Sequence, residues 1–311
     1  MEQRTLGRTG LKVGVLGYGA GAVGGLFTKG RPEDQERAVA RALDAGINYF
    51  DTAALYGNGE SEKNLGRVLN KLKPKIVVGT KVRLGQEHRA NVAAGIAKGM
   101  EDSLRRMARD SVDLMQLHNP LVAKDNNDHL SIDIALNEVV PALQKLKKEG
   151  KTRFIGFSGV GETPCLLKAI DSGAFDTVQV VYNAVNPSAG GPMPAGAAGQ
   201  DYGNILKRAA DKGVGTIIIR ALAGGAMAGT EARHELAMQN VEPIGSGKDL
   251  AADVARAKTM EAEMKRSGSK SLAEYGMRFV ISNPNVSTML VGYSNMDQLE
   301  QAIAAVEKGK L

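Results

Sequence analysis

The chain alternates short runs of apolar, often β-branched residues with longer segments whose apolar residues recur at helical spacing. The short runs predict strands at residues 13–17, 47–51, 76–81, 112–118, 154–158, 177–183, 214–219 and 287–291. The longer segments predict helices at residues 32–45, 61–69, 91–107, 132–148, 163–172, 202–212, 250–282 and 297–308. Strand and helix in strict alternation indicate a parallel sheet, and eight such units predict closure into an α/β fold, the (β/α)8 TIM barrel.

Features around these units support the same architecture. Residues 4–13 contain two strand-like pieces around a glycine turn, which predicts an N-terminal β-hairpin closing the barrel bottom. Glycines at the helix ends are expected to adopt left-handed conformations: Gly46, Gly150, Gly173 and Gly213. We expect one domain over residues 1–311, with long loops at 186–200 and 223–248.

The composition of the chain argues against several kinds of partner and environment. The 40 Lys and Arg residues exceed the 34 Asp and Glu residues by only +6 and are scattered, which is typical of a solvated surface and predicts no nucleic-acid partner. One cysteine, Cys165, excludes an internal disulfide and fits a reducing compartment. The polar start and the lack of a long apolar run lead us to expect a cytoplasmic protein without a membrane partner. Nothing in the sequence indicates an oligomeric state.

Two common binding patterns are not favoured. The segment Gly19-Ala-Gly-Ala-Val-Gly24 matches a dinucleotide fingerprint, but that motif requires a helix to start within the glycines. Here the next predicted helix starts near Pro32, so we expect a glycine loop at the barrel mouth. The four histidines lack zinc-ligand spacing, and we predict no metal site.

Ionisable side chains follow three successive predicted strands. Asp51 and Tyr56 follow the second strand, Lys81 ends the third, and His118 ends the fourth. In a parallel barrel these ends converge on one mouth, where catalytic groups lie. Each residue taken alone fits a structural role, as a turn cap, a rim aromatic, a solvated cation or a core histidine. Their joint placement favours an active site.

The four groups together suit proton transfer to or from an oxygen. A phenol is a weak acid at neutral pH, but a neighbouring ammonium stabilises its phenolate and lowers its pKa. Lys81 supplies that charge for Tyr56, Asp51 holds Lys81 protonated, and His118 hydrogen-bonds a substrate oxygen or shares the proton with Tyr56. A Schiff-base role for Lys81 is the competing interpretation, and it requires a neutral amine, which Asp51 disfavours.

These segments resemble the aldo-keto reductases. The resemblance rests on Asp51-Thr-Ala-Ala-Leu-Tyr56-Gly-Asn-Gly-Glu-Ser-Glu, on Gly79-Thr-Lys81 and on Asp113-Leu-Met-Gln-Leu-His118, and it extends over essentially the whole chain. It implies a (β/α)8 barrel that binds NADPH or NADH across its mouth. It also implies a catalytic tetrad of Asp51, Tyr56, Lys81 and His118, with Tyr56 as the general acid.

The resemblance also implies cofactor-binding positions. Ser158, Gly159 and Gln179 match positions that hold the nicotinamide carboxamide, although the family carries Asn where Gly159 stands. The pyrophosphate segment and the adenosine segment supply the other positions: Ile219, Arg220, Leu222, Gly224, Gly225, Gly292, Ser294 and Gln298.

The expected function is an NAD(P)H-dependent oxidoreductase that reversibly reduces an aldehyde or ketone to an alcohol. NADP(H) is favoured, with NAD(H) as the alternative, since the adenosine segment lacks the Lys or Arg that many NADP-preferring members carry. The sequence leaves sugars, aryl aldehydes and bulky ketones open as substrates. A non-catalytic nicotinamide-cofactor sensor of the same fold is the alternative function.

Overall fold

The computed structural model describes residues 1–194 and 199–311, so part of the loop predicted at 186–200 lies outside the described residues. Its strands are β1 Gln3–Thr5, β2 Lys12–Gly14, β3 Leu16–Gly19, β4 Tyr49–Asp51, β5 Val77–Val82, β6 Val112–Leu117, β7 Leu121–Val122, β8 Leu130–Ser131, β9 Thr152–Gly159, β10 Thr177–Val181, β11 Gly215–Ile219 and β12 Thr288–Val291. Eight of them form a closed parallel barrel in the order β3-β4-β5-β6-β9-β10-β11-β12, with β12 returning to β3. The predicted TIM barrel is therefore confirmed.

Helices surround the barrel, as the alternation predicted. They are α1 Leu26–Lys29, α2 Pro32–Asp44, α3 Glu60–Leu72, α4 Val92–Met107, α5 Ile132–Ile134, α6 Val140–Lys148, α7 Thr163–Asp171, α8 Ile205–Asp211, α9 Leu250–Lys258, α10 Glu261–Arg266, α11 Leu272–Ser282 and α12 Met296–Glu307. Amphipathic spacing buries one face of each long helix; in α2 this face is Gln35, Ala38, Val39 and Ala42.

The hairpin of β1 and β2 closes the barrel bottom. Its two strands pair antiparallel, and Leu6 and Val13 are buried against the lower barrel interior. There they pack with Tyr49 and Val77, the first residues of β4 and β5. This apolar plug leaves the carboxyl ends of the barrel strands as the open face.

Three predicted elements differ in detail. The strand predicted at 13–17 is divided between β2 and β3, since the chain leaves the hairpin at Val15 and joins the barrel at Leu16. The helix predicted at 132–148 contains a π-turn at Ala135–Val139, because Pro141 has no amide hydrogen to donate to the preceding turn. The helix predicted from Tyr202 begins at Ile205, after left-handed Gly203 and Asn204.

The four helix-end glycines are all left-handed, with φ of 86°, 73°, 68° and 67° at Gly46, Gly150, Gly173 and Gly213. Each glycine therefore turns the chain from a helix into the next strand. Within residues 1–194 and 199–311, no helix combines the length and apolar character needed to cross a membrane.

Candidate active site

The four predicted catalytic residues meet at the open end of the barrel. Asp51 is the last residue of β4, Lys81 lies near the end of β5, and His118 follows β6. Tyr56 lies in the turn between β4 and α3, where Gly57, Asn58 and Gly59 all have positive φ. Two glycines in this run make the tight reversal possible, because they carry no Cβ. The turn thus brings the phenol over Lys81.

Lys81 is the centre of the arrangement and is fully buried. Its amine forms a salt bridge with Asp51, and it donates hydrogen bonds to Thr52 O at 2.8 Å and to the Tyr56 hydroxyl at 3.2 Å. Burial by itself lowers the pKa of Lys81, but Asp51 and Tyr56 outweigh burial and raise the pKa above its ordinary value. Lys81 is therefore a permanent ammonium group beneath the phenol.

Asp51 is held by further donors that the sequence did not assign to it. The hydroxyl of Tyr49 and the amides of Gln116 and Gln179 donate to Asp51 Oδ1 at 3.2, 3.2 and 2.8 Å. Burial and the nearby Asp51 raise the pKa of Tyr49 well above its ordinary value, so Tyr49 stays protonated as a donor. These bonds and the Lys81 salt bridge satisfy a carboxylate that is removed from water.

His118 stands beside Tyr56 with their rings edge to face, the centroids 5.8 Å apart. Its Nδ1 atom is buried and has no hydrogen-bond partner among the described residues. Burial, with contributions from Lys81 and Arg83, lowers the pKa of His118 to about 3. The imidazole is consequently neutral near pH 7 and serves as a hydrogen-bonding group rather than as a cation.

A cleft of about 710 Å³ opens above these residues and continues along the ends of β9, β11 and β12. It is lined by Asp51, Tyr56 and His118, while Lys81 lies below Tyr56, outside the lining. Most of the positions predicted for a cofactor line it too: Ser158, Gln179, Ile219, Arg220, Leu222, Gly224, Gly225, Gly292, Ser294 and Gln298. Gly159 does not line it. The glycine loop after β3 lines it through Gly19, Gly21 and Gly24, as expected from the sequence.

At the end of the cleft nearest Tyr56, the hydroxyl of Ser158 is buried and has no hydrogen-bond partner in the described part of the chain. A Cβ atom on Gly159 would lie 2.4 Å from Gln179 O, so β10 leaves no space for the Asn of the family pattern. Gln179 donates to Asp51 in this structure. Among the described residues, Ser158 therefore keeps a buried hydroxyl without a partner, whereas the amide nitrogen of Gln179 is engaged with Asp51.

The segment after β11 turns sharply beneath the cleft. Arg220 and Ala223 have φ of 58° and 49°, and Gly224 and Gly225 follow with φ of 67° and 112°. The guanidinium of Arg220 donates to Glu242 O at 2.9 Å. Burial lowers the pKa of Arg220. The turn therefore presents backbone and a cation to the cleft.

At the far end, Ser294 lies just before α12, and Gln298 lies in the first turn of that helix. Ser294 donates through its hydroxyl to Gly24 O at 2.6 Å, and its amide donates to Gln298 Oε1 at 2.8 Å. Asn295 caps the helix by accepting from the Gln298 amide at 3.0 Å. In this structure the side chains of Ser294 and Gln298 are engaged with the protein itself.

The sequence interpretation missed Arg83, Arg233, Tyr49 and Gln116. Arg83 and Arg233 line the cleft, and Gln116 and Tyr49 hold Asp51. Strand alternation offered a signal for Gln116, a polar residue on the inward face of β6. Arg233 lies in a loop without periodicity, so no pattern pointed to it.

Within residues 1–194 and 199–311, no cluster of three or more His, Cys, Asp or Glu residues is placed to hold a metal.

The structure thus has a closed parallel barrel with an Asp, a Tyr, a Lys and a His at its mouth, the arrangement expected from the motifs. The profile described as the Aldo/keto reductase family matches residues 15–311. The chain therefore belongs to the aldo/keto reductase family, whose members use nicotinamide cofactors.

The chain is similar to two named dehydrogenases and to a solved structure. "L-galactose dehydrogenase" of Arabidopsis thaliana is 31% identical over 309 residues, 98% of this chain and 88% of the relative. "D-threo-aldose 1-dehydrogenase" of Pseudomonas sp is 32% identical over 196 residues, 55% of this chain and 57% of the relative. The structure named "aldo-keto reductase AKR11C1 from Bacillus halodurans (holo form)" has a TM-score of 0.73, with 22% identity, and covers 100% of this chain and 92% of its own.

Proposed function

We propose that the protein is a nicotinamide-dependent oxidoreductase that interconverts a carbonyl and an alcohol, with Tyr56 as the proton donor and acceptor. The observation that carries this proposal is the buried Lys81 ammonium, which joins Asp51 to the Tyr56 hydroxyl. A cation at this distance interacts more favourably with a phenolate than with a phenol, which favours proton transfer between Tyr56 and a substrate oxygen.

The charge of each side chain determines its role in the reaction. Tyr56 protonates the carbonyl oxygen in reduction, and the phenolate accepts the hydroxyl proton in oxidation. Neutral His118 beside it orients that oxygen by a hydrogen bond. When bound, the nicotinamide ring supplies or accepts the hydride. Lys81 remains protonated, since its pKa is raised, which argues against a Schiff-base role.

The cleft fits such a cofactor. The free Ser158 hydroxyl is a hydrogen-bond partner for the carboxamide. In the described part of the chain, Arg83, Arg220 and Arg233 line the cleft, and its one carboxylate, Asp51, is neutralised by Lys81. Because this excess of positive charge suits an additional phosphate, we favour NADP(H) over NAD(H).

As the substrate class, we propose aldoses, which the protein would oxidise at C1. Both named relatives are dehydrogenases of sugars by their names, and one name specifies position 1. In this reaction the C1 hydroxyl of a cyclic aldose gives its proton to Tyr56, and C1 loses a hydride, which an oxidised nicotinamide cofactor would accept if bound in the cleft. The products are a lactone, the reduced cofactor and one proton.

The test has two parts. Fluorescence titrations with NADPH and NADH establish cofactor binding, and absorbance at the reduced-cofactor band then follows turnover with aldoses, aryl aldehydes and bulky ketones. We expect cofactor binding and C1 oxidation of at least one aldose. Binding without turnover of any compound would instead favour the non-catalytic sensor, and turnover confined to aryl aldehydes or ketones would contradict the substrate class.

A further inference from the structure

The motif that contains Asp51 and Tyr56 ends at Glu62, a residue that the proposed reaction does not use. Glu62 lies in the first turn of α3, just after the turn of residues 56–59, and its side chain has no exposure to solvent. We call residues 56–59 the catalytic turn, since they include Tyr56. A carboxylate removed from water is unfavourable unless it is paired and hydrogen-bonded, so the partners of Glu62 show what it does in the fold.

Glu62 joins three elements of the barrel. Thr80 donates its hydroxyl to Glu62 Oε1 at 2.6 Å, and Arg106 donates through Nε to Glu62 Oε2 at 2.5 Å. Thr80 lies in β5 immediately before Lys81, and Arg106 lies in the last turn of α4. Both carboxylate oxygens are therefore engaged, and they attach the start of α3 to the strand that carries the catalytic lysine.

Arg106 also packs against the catalytic turn itself. A Cβ atom on Gly59 would lie 2.6 Å from Arg106 Cδ, so the aliphatic part of the arginine lies close to the backbone at a residue whose φ is 89°. The Nη2 atom of Arg106 donates to Ser103 Oγ at 3.1 Å, which gives the guanidinium a second partner. Arg106 thus supports the turn from α4 and is itself held by Glu62 and Ser103.

Ser61 attaches the catalytic turn to two further strand ends. Its hydroxyl donates to Ala20 O at 2.7 Å, so Thr52 Oγ1, also at 2.7 Å, is the donor to Ser61 Oγ. The carbonyl oxygen of Thr52 accepts a hydrogen bond from the amine of Lys81. The amide of Ser61 donates to Tyr56 O at 3.2 Å. The two residues at the start of α3 therefore connect the turn to the immediate neighbours of Lys81.

We propose that Glu62 and Arg106 are positioning residues, which keep the Tyr56 hydroxyl within hydrogen-bonding distance of Lys81. This inference rests on the proposed function, because it takes Tyr56 as the group that transfers the proton. Neither side chain lines the cleft, so neither contacts the substrate or the cofactor. Reaction rates are sensitive to displacements of about 1 Å between reacting groups. Loss of the pair therefore slows proton transfer without changing how the cofactor binds.

The first test measures kcat and the cofactor dissociation constant in Arg106→Met and Arg106→Lys, with a substrate identified in the screen. In Arg106→Met, kcat should fall by roughly ten- to a hundredfold, while the dissociation constant stays within about threefold. Arg106→Lys keeps a cation beside Glu62 although it loses the planar fork, so its kcat should stay within about fivefold of the parent value.

A double variant separates positioning from stability. Arg106→Met leaves Glu62 as a buried carboxylate without its cation, so its Tm should fall. Glu62→Gln combined with Arg106→Met leaves no unpaired charge and should recover much of the Tm. Its kcat should nevertheless stay low, because nothing then joins the start of α3 to α4. The double variant also keeps the proposal testable if Arg106→Met alone does not fold.

Arg278→Met is the matched control. Arg278 forms a salt bridge with Glu274 at 3.7 Å within α11, and the two side chains are only 7% and 13% exposed. The cleft lining does not include Arg278, and none of its hydrogen bonds within the described residues goes to the site. Its Tm should fall as well, but its kcat should remain within about twofold of the parent value.

Two kinetic results would overturn the inference. If kcat recovers together with the Tm in the double variant, the pair only stabilises the fold. If Arg278→Met loses as much kcat as Arg106→Met, general destabilisation explains the loss.

Hydrogen exchange, followed by NMR, keeps this inference distinguishable from the proposed function. The amides of Glu60 and Ser61 donate to Gly57 O and Tyr56 O, so their exchange reports whether the catalytic turn is held. Faster exchange of these amides in the double variant than in the parent protein supports the inference even if the parent turns over no substrate. Unchanged exchange would contradict it.

Discussion

The amine of Lys81 donates a hydrogen bond to the hydroxyl of Tyr56 across 3.2 Å, from a position with no exposure to solvent. The ammonium also lies 4.7 Å from the centroid of the Tyr56 ring. The charge of Lys81 is therefore directed at one phenol, while Asp51 holds the lysine from below. This relationship makes the electrostatics of the site testable through both stability and activity.

Replacing Lys81 should strongly destabilise the fold. Lys81→Met leaves Asp51 as a buried carboxylate without its cation, and breaking such a pair costs about 3–5 kcal/mol in the free energy of unfolding. Urea denaturation measures the loss. The double variant Asp51→Asn, Lys81→Met should recover part of it, since no buried charge is then unpaired.

Lys63→Met provides the matched control, because Lys63 forms a salt bridge with Glu60 at 2.6 Å on an exposed helix surface. Exposed pairs contribute about 1 kcal/mol or less. Equal losses for Lys63→Met and Lys81→Met would contradict the buried-charge account.

His118 should make the protein less stable as the pH falls. Its pKa is about 3 in the folded chain, below the ordinary value of about 6.5 in an unfolded chain. Between these values the unfolded chain binds a proton that the folded chain does not, so acid favours unfolding. The stabilising effect is complete above about pH 6.5 and declines toward pH 3.

Urea denaturation of the parent protein and His118→Gln at pH 6.5 and 4.5 measures this effect. The parent should lose about 2 kcal/mol more than the variant over this interval. The same pH dependence in both proteins would mean that burial does not suppress protonation of His118.

Gly159 should not tolerate a side chain. A Cβ atom there would lie 2.4 Å from Gln179 O and 3.2 Å from Val178 Cγ2, so β9 and β10 would have to separate. Gly159→Ala is expected to cost about 1–3 kcal/mol in the free energy of unfolding. At Gly191 a Cβ would have no atom within 4 Å, so Gly191→Ala should change stability by less than about 0.5 kcal/mol. Comparable unfolding curves for the two variants would argue against a close approach at Gly159.

Most of the barrel was predictable because each strand is a short apolar run, and a helix whose apolar residues recur at helical spacing follows it. The π-turn at Ala135–Val139 was not assigned, although Pro141 marks it, because helical spacing continues on both sides. The start of α8 was placed too early because Tyr202 is buried and fits a helical pattern, while the reversal at Gly203 and Asn204 depends on backbone conformation.

The catalytic side chains were predictable for a different reason. Asp51, Lys81 and His118 all lie at or next to the carboxyl ends of strands, and parallel strands bring these ends together whatever the loops do. The contacts of Gln179 depend on its side-chain rotamer, and Arg233 comes from a loop whose path follows tertiary packing. Neither a side-chain rotamer nor the path of a long loop is encoded in a local sequence pattern.

The central claim is that Tyr56 transfers the proton, and Tyr56→Phe tests it most directly with a substrate identified in the screen. The variant removes only the hydroxyl, so kcat should fall by a factor on the order of 10²–10⁴ while the dissociation constant for the cofactor stays within about threefold. A kcat close to that of the parent protein would contradict the account.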